Sequence, residues 1–256
     1  MTVVVVTGGT RGIGQGLVRQ FHARGCSVVY CGRSVPAEPD PDPRVRGVVA
    51  DVTDRAAVRD LWEEAVAAYG RVDIWINNAG VTTARRPLWE LPPAELDAVI
   101  DVNLRGLAHA SAVVLAAMRA QGHGALWNME GFGSGNQKAP GLAAYGATKR
   151  AVTYLTDALA KELAAELGKD SPVTVAHLSP GMVVTDLLAR DYTPEEFAKA
   201  KKIFNILADT VETVTPWLAE RVLAGVPNGG RVAWLTTPKA VGRFATAAFR
   251  KRDLFA

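Results

Sequence analysis

Two side chains four residues apart, Tyr145 and Lys149 in "YGATK", suggest the chemistry of this sequence. On a helix they share a face. A free phenol, with a pKa of about 10, exchanges protons poorly at neutral pH, and a nearby ammonium favours phenolate and lowers that value. The pair therefore predicts general acid–base work at a carbonyl, with Tyr145 giving a proton to the oxygen while a hydride arrives at carbon. A tyrosine packed on a sheet is the plainer reading, and the hydride source decides between them.

That source is legible near the N-terminus. "VVVVTGGTRGIGQGLV" runs from strand through glycines into an amphipathic helix. Gly8, Gly12 and Gly14, with Thr10, Arg11 and Ile13 between them, let backbone approach a pyrophosphate at the positive helix N-terminus. A ribose diol would call for Asp or Glu at the end of the second strand. The sequence has "YCGRS" there, with Gly32 followed by Arg33, and Arg11 projects from the glycine loop. Two guanidinium groups suit a 2′-phosphate, so NADPH is the expected cofactor.

The elements that must position these residues follow from periodicity. Apolar β-branched runs alternate with helical patterns, which predicts an α/β, Rossmann-type doubly wound, mostly parallel seven-stranded sheet with helices on both faces. Strands are expected at Val3–Val6, Val28–Cys31, Val45–Ala50, Ile74–Asn77, Ala125–Asn128, Thr174–Leu178 and Val232–Leu235. Helices are expected at Gly14–Arg24, Arg55–Tyr69, Ala94–Ala120 and Ala144–Leu167. No repeat or linker divides residues 1–256, so one domain is expected. The stretch "SVPAEPDPDP" holds four prolines, each costing about 3 kcal/mol inside a helix, so no full crossover helix is expected between strands two and three.

Composition sets outer limits. Hydrophobic residues make up 48% of the chain, enough for a sizeable core. A net charge of +3 is too small to point to nucleic acid. Cys26 and Cys31 match no metal spacing and are expected as buried core thiols. The apolar start "MTVVVVTGG" is too short for a signal peptide, and no run is expected to span a bilayer. A cytoplasmic protein is expected, with no metal.

Six motifs then stand in order: "TGGTRGIG", "DV" at 51–52, "NNAG" at 77–80, "DVNLRG" around Asn103, "YGATK", and "SPGMVVTD" at 179–186. Together they resemble the short-chain dehydrogenase/reductase superfamily. The resemblance implies that Asp51 and Val52 hold the adenine and that Asn78, Ala79 and Gly80 line the cofactor cleft. It places Pro180, Gly181, Val183 and Thr185 along the cofactor, Thr185 on its nicotinamide side. It also implies that Lys149 binds the nicotinamide ribose, that Asn103 holds a water relaying protons to Lys149, and that the enzyme is a homodimer or homotetramer.

The stretches "NMEGFGSG…YGATK", "HLSPGMVVTDLL" and "AKKIFNILAD" further resemble chlorophyll b reductase, whose strand end reads Asn-Met-Asp-Gly; here Glu130 replaces that Asp. This implies reduction of the 7-formyl group of chlorophyll b to 7-hydroxymethyl. Plant members carry transit peptides; none is read here, so a bacterial relative is expected.

One part of the superfamily's site is missing. Its usual serine falls at Phe132 when counted back from Tyr145, and at Gly131 when aligned from the strand end; Ser134 is in neither register. Backbone N–H groups of the glycine-rich turn, or an easily reduced aldehyde substrate, could compensate. Glu130 either anchors the turn by accepting from its N–H groups or reaches the substrate as a protonated donor. The anchor is the expectation, since a buried charge needs several partners.

The substrate pocket is expected to include Glu130, Gly131, Phe132, Trp89 and Leu187, beneath a lid at about 187–210. Leu188, Phe197, Ile203, Phe204, Ile206 and Leu207 make that lid apolar, which suits a flat hydrophobic porphyrinoid and equally a helix packed on the domain. The basic tail "KAVGRFATAAFRKRDLFA" is expected to be a subunit contact or solvated end, with at most peripheral membrane contact. Three functions remain: a reductase of a porphyrinoid formyl group, a reductase of another hydrophobic aldehyde or ketone, and a non-catalytic NADP(H)-binding regulator.

Overall fold

Four valines and a threonine form β1 (Val3–Thr7), buried along its whole length, because a parallel strand covered on both faces has no solvent side. Its side chains alternate between two cores. Val4 and Val6 pack with Leu17 and Phe21 of α1 (Gly12–Ala23) and with Val214 and Leu218 of α8 (Val211–Ala224). Val5 faces the opposite core, with Leu61 of α2 (Arg55–Tyr69), Val114 of α4 (Leu107–Gln121) and Leu163 of α5 (Ala143–Leu167).

The computed structural model describes residues 1–36, 40–168, 170–189, 192–247, 249 and 252–255. The other strands are β2 (Ser27–Gly32), β3 (Val45–Val49), β4 (Ile74–Asn77), β5 (Gly124–Met129), β6 (Val173–Ser179) and β7 (Arg231–Ala233). Their order is β3-β2-β1-β4-β5-β6-β7, and every pairing is parallel. The winding reverses between β1 and β4. A doubly wound sheet opens its ligand crevice at such a switch point, beyond the strands' C-terminal ends. The glycine loop follows β1 and "NNAG" ends β4, so the motifs meet there.

Four departures from the sequence expectation matter. The long helix expected at Ala94–Ala120 is α3 (Pro93–Ile100), a π-helical turn at Asp101–Gly106, then α4. Such insertions gather at functional sites, and this one carries Asn103. Contrary to the expectation that no run could span a bilayer, Pro93–Gln121 is long and apolar enough by composition; its apolar face instead packs within the fold through Leu107, Val114, Leu115 and Met118. β7 ends at Ala233 rather than Leu235. Beyond it the tail forms α9 (Thr237–Thr246), capped by the Thr236 side chain.

Between β2 and β3 the described residues of 33–44 hold no helix; residues 37–39 of the proline-rich stretch lie outside the described set. Cys26 and Cys31 are free and buried.

Candidate active site

The site is floored by the glycine loop, whose residues fit a dinucleotide phosphate. Gly8 and Gly12 have φ of 64° and 56°, the left-handed region that favours glycine. A Cβ on Gly14 would stand 2.1 Å from the Gly8 carbonyl oxygen, so only glycine allows α1 to begin this close to the loop. Asn78 braces the same loop: its Nδ2 donates to the carbonyls of Thr7 and Gly8, at 2.9 and 3.1 Å. The backbone N–H groups of Asn78 and Ala79 donate to Thr7 Oγ1. The Asn78 side chain is thus a strut for the loop, while Ala79 and Gly80 continue the cleft.

Around this floor, Asp51 Oδ1 accepts from the backbone and hydroxyl of Thr53, and Val52 is buried beside it. Thr185 reaches across to Gly12, its Cγ2 3.5 Å from where a Cβ there would lie. Val183 and Val184 are held through Asp209, and Pro180 and Gly181 lead from β6 into this segment. Arg11 and Arg33 are exposed. Ile13 packs partly into the core.

Tyr145 and Lys149 lie on the first turns of α5, both buried. Asn103 fixes the wall opposite. Its Oδ1 accepts from Val81 N at 2.8 Å, and its Nδ2 donates to Val81 O at 2.9 Å and Thr148 Oγ1 at 3.2 Å. Both Nδ2 hydrogens are engaged while Oδ1 keeps one lone pair, so a relay water at Asn103 would bind by donating, to Oδ1 or to the main-chain carbonyl.

The electrostatics differ from the sequence expectation. Burial pushes the Tyr145 hydroxyl up to about 12, and burial lowers Lys149 to about 8, with the charge of Glu130 pushing the other way. Lys149 Nζ stands 5.9 Å from the Tyr145 ring centre and donates to Met129 O at 3.2 Å. Loss of water outweighs the ammonium's pull at that distance, so the phenol is not brought toward neutral pH in this structure. A tyrosine held protonated is the acid form that carbonyl reduction requires.

Of the two positions expected for the serine, Gly131 lies beside Tyr145. A Cβ on it would lie 2.5 Å from Tyr145 Oη and 3.1 Å from Lys149 Cε. Ser134 is turned to the backbone: Oγ accepts from Gly131 N at 3.1 Å and donates to Lys149 O at 3.2 Å. It ties the turn to α5. We expect Ser134→Ala to change turnover by less than about tenfold, below the 10² to 10³ of a lost oxyanion donor. A hundredfold fall in kcat with unchanged NADPH affinity would show that this hydroxyl serves the substrate.

Glu130 corrects two expectations. Its carboxylate takes neither the turn's N–H groups nor a place in the pocket. Oε1 instead meets Arg231 Nη2 at 2.8 Å, His177 Nδ1 at 3.1 Å and Thr153 Oγ1 at 3.4 Å. These partners come from β7, β6 and α5, and only tertiary structure brings them together. The signal for His177 was a lone histidine within an apolar strand.

The rim is open. Trp89, in a short 3-10 turn at Leu88–Glu90, is 85% exposed, and Phe132 and Leu187 also face solvent. Over the expected lid lie α6 (Asp186–Ala189) and α7 (Pro194–Leu207); residues 190–191 lie outside the described set. Phe197 and Phe204 pack with Tyr192 and the C-terminal Phe255, so these two serve packing rather than the pocket.

The tail is likewise not a loose end. Buried Asp209 accepts from Trp234 Nε1, Arg243 Nη2 and Arg252 Nη2, at 2.6, 2.7 and 2.8 Å, the several partners that a buried carboxylate needs. Residues 248, 250–251 and 256 of that tail lie outside the described set.

Comparison with known proteins identifies the family and the fold. The family model described as short chain dehydrogenase matches residues 2–196. The chain is 36% identical over 265 residues to chlorophyll(ide) b reductase NOL, chloroplastic, of Oryza sativa subsp. japonica, covering 97% of this chain and 76% of that protein. Its Arabidopsis thaliana counterpart is 36% identical over 237 residues, covering 89% and 66%. The chain spans about half of a probable chlorophyll(ide) b reductase of Arabidopsis thaliana, 54% of its length at 30% identity. Among solved structures, the KRED1-Pglu enzyme aligns with a TM-score of 0.77 at 28% identity, over 91% of this chain and all of that one. A 3-ketoacyl-(acyl-carrier-protein) reductase from Brucella melitensis, complexed with NADH, aligns with a TM-score of 0.76 at 26% identity, over 91% and 96%.

Proposed function

This chain belongs to the short-chain dehydrogenase family and is an oxidoreductase, and from that premise we propose that it reduces the 7-formyl group of chlorophyll b, or of a derivative, to 7-hydroxymethyl with NADPH. The observation that carries this reading is the turn after β5, which sets Gly131 beside Tyr145 and turns the Ser134 hydroxyl to the backbone. Gly131 brings backbone rather than a hydroxyl beside Tyr145, on a strand end that resembles the chlorophyll b reductase pattern. Relatives alike over nearly the whole chain bear that name. An aldehyde is intrinsically easier to reduce than a ketone, so one acid can serve where a ketone would need a second donor.

The roles follow from position. The glycine loop and the α1 N-terminus would hold the cofactor's pyrophosphate, and Lys149 its nicotinamide ribose. When bound, the reduced nicotinamide supplies the hydride. Tyr145 gives its proton to the carbonyl oxygen, and Lys149, supplied through a water that Asn103 would hold, passes a proton back to it. Segment 187–210 covers the substrate, with Leu187, Phe132 and Trp89 as apolar rim. The same reading places the enzyme in the cytoplasm, at most peripheral to a membrane, as a homodimer or homotetramer.

Support for NADPH comes from the end of β2. Position 32 has no room for a side chain, because a Cβ there would meet Thr10 Cγ2 at 2.7 Å. The next residue is the exposed Arg33. NADPH is expected to bind more tightly than NADH, by a margin that shrinks with added salt as the charge pairing is screened. Arg33→Asp should erase or invert the preference. Equal affinity of the parent protein for the two dinucleotides, measured by fluorescence titration, would sink the assignment.

Incubation with NADPH and chlorophyll b, chlorophyllide b or pheophorbide b, scored by pigment chromatography, tests the substrate. A 7-hydroxymethyl product is expected. The open rim favours a second reading, reduction of another hydrophobic aldehyde or ketone. That reading gains if NADPH is consumed with small aldehydes while all three pigments are untouched. Consumption with any of them removes the non-catalytic alternative.

A further inference from the structure

We infer that Glu130 is a positioning residue for the catalytic lysine: held behind the turn by His177 and Arg231, its carboxylate supplies the counter-charge that keeps the buried Lys149 an ammonium, and Arg231 sets how much of that charge Lys149 feels. The inference rests on the reading above that Lys149 takes part in the reaction. It goes beyond that reading by assigning work to residues outside the pocket.

The geometry starts at the end of β5. Met129 O accepts from Lys149 Nζ at 3.2 Å, and the next residue is Glu130, whose own N–H donates to Leu178 O of β6 at 2.8 Å. The same short piece of strand therefore carries both the lysine's anchor and the carboxylate. Thr153, one turn beyond Lys149 on α5, closes the link. Its hydroxyl lies within 3.4 Å of Glu130 Oε1, 3.1 Å of Ser134 O and 3.4 Å of Lys149 O. Its one proton serves one acceptor at a time, Ser134 O being the nearest, so the hydroxyl joins the turn to α5 and sits beside the Glu130 carboxylate.

The charged and titratable groups packed around Glu130 come from three elements, and the next cation along α5, Arg150, points to the turn's backbone, its Nη1 donating to Ser134 O at 3.0 Å. From β6, His177 Nδ1 faces Glu130, while its Nε2 faces Asp157 Oδ1 of α5 at 2.9 Å. From β7 at the sheet edge, Arg231 makes the 2.8 Å ion pair and remains half-exposed. From α5, Lys149 is buried, with Tyr145 as the titratable neighbour on its own helix.

A carboxylate this deeply buried would be costly without partners. A structural ion pair would be complete with Arg231 alone. The placement beside the Lys149 anchor adds a second consequence, because charges act strongly on one another where water is excluded. Burial draws Lys149 down to about 8, and Glu130 pushes it up. Arg231, by neutralising part of the Glu130 charge, weakens that push.

Two substitutions should then act with opposite sign. Glu130→Gln removes the anion and should move the Lys149 midpoint to lower pH, on the order of one unit, as expected for loss of a nearby opposite charge. Arg231→Gln leaves the anion less neutralised and should move it to higher pH. Glu130→Asp keeps the charge and should stay close to the parent. The midpoint is read directly from ¹³C NMR of the full-length protein labelled at lysine Cε, with the resonance assigned by its disappearance in Lys149→Met.

In parallel, the alkaline limb of the kcat profile for chlorophyll b reduction should move with the midpoint, to lower pH in Glu130→Gln and higher in Arg231→Gln. A merely structural Glu130 would depress kcat at all pH values and leave the limb in place. Midpoints unchanged in both variants, or displaced in the same direction, overturn the inference. If Glu130→Gln does not fold, Arg231→Gln, a change at a half-exposed edge residue, decides alone. Midpoints that move as expected while the kcat profile stays still uphold the electrostatic role of Glu130 and count instead against Lys149 as a participant.

Discussion

Tyr145→Phe is expected to lower kcat by about 10² to 10⁴-fold, the contribution of a positioned general acid, while NADPH affinity and thermal stability stay near those of the parent. The structure explains why these effects should separate. The tyrosine ring belongs to a small apolar cluster with Val99 and Ala144, and phenylalanine fills the same place. No hydrogen bond among the described residues holds the Tyr145 hydroxyl. What holds the residue is its backbone, whose carbonyl accepts from Thr148 Oγ1 at 2.7 Å. Removing the oxygen therefore costs the fold little and the reaction its proton. Steady-state kinetics with the best aldehyde and a dinucleotide titration provide the check. A variant that turns over nearly as fast as the parent would show that some other group is the acid.

Gly131→Ser is expected to reduce activity, even though it introduces the hydroxyl that the superfamily usually has. The Cβ would stand 2.5 Å from Tyr145 Oη and within 3.2 Å of Lys149 Cε and Cδ. These are closer than van der Waals contact, so the tyrosine and the lysine must both move. Misplacing a reacting group by about 1 Å can cost on the order of 10²-fold, and we expect a loss of about that size. Gly131→Ala separates sterics from chemistry, because it adds the Cβ without the oxygen and should be about as damaging. If the serine variant instead gains activity while the alanine variant loses it, the turn tolerates a side chain and the hydroxyl acts as an oxyanion donor.

Much of the site was legible because its parts are local. The acid and lysine share one helix face at a spacing of four, and the glycine loop is a contiguous strand–loop–helix unit. The parallel sheet follows from strands such as "VVVV" that show no polar alternation. Features that depend on contacts between distant elements were not legible. The π-helical turn at Asp101–Gly106 occurs inside a stretch with good helical periodicity, and Asn103 there clamps Val81. Glu130 was singled out by type, but its partners lie 23, 47 and 101 positions away, at Thr153, His177 and Arg231. The basic composition of the tail gives no sign that Arg243 and Arg252 converge on Asp209 of the same chain.

The sequence by itself determined the doubly wound fold, the glycine loop between β1 and α1 and the Tyr145–Lys149 pair on one helix, because period, turn chemistry and short-range spacing are properties of contiguous chain. Only the tertiary structure decided the protonation balance of that pair, the contacts of Gly131 and Ser134 in the turn and the partners of Glu130. Those depend on how much water is excluded and on which distant charges burial brings together.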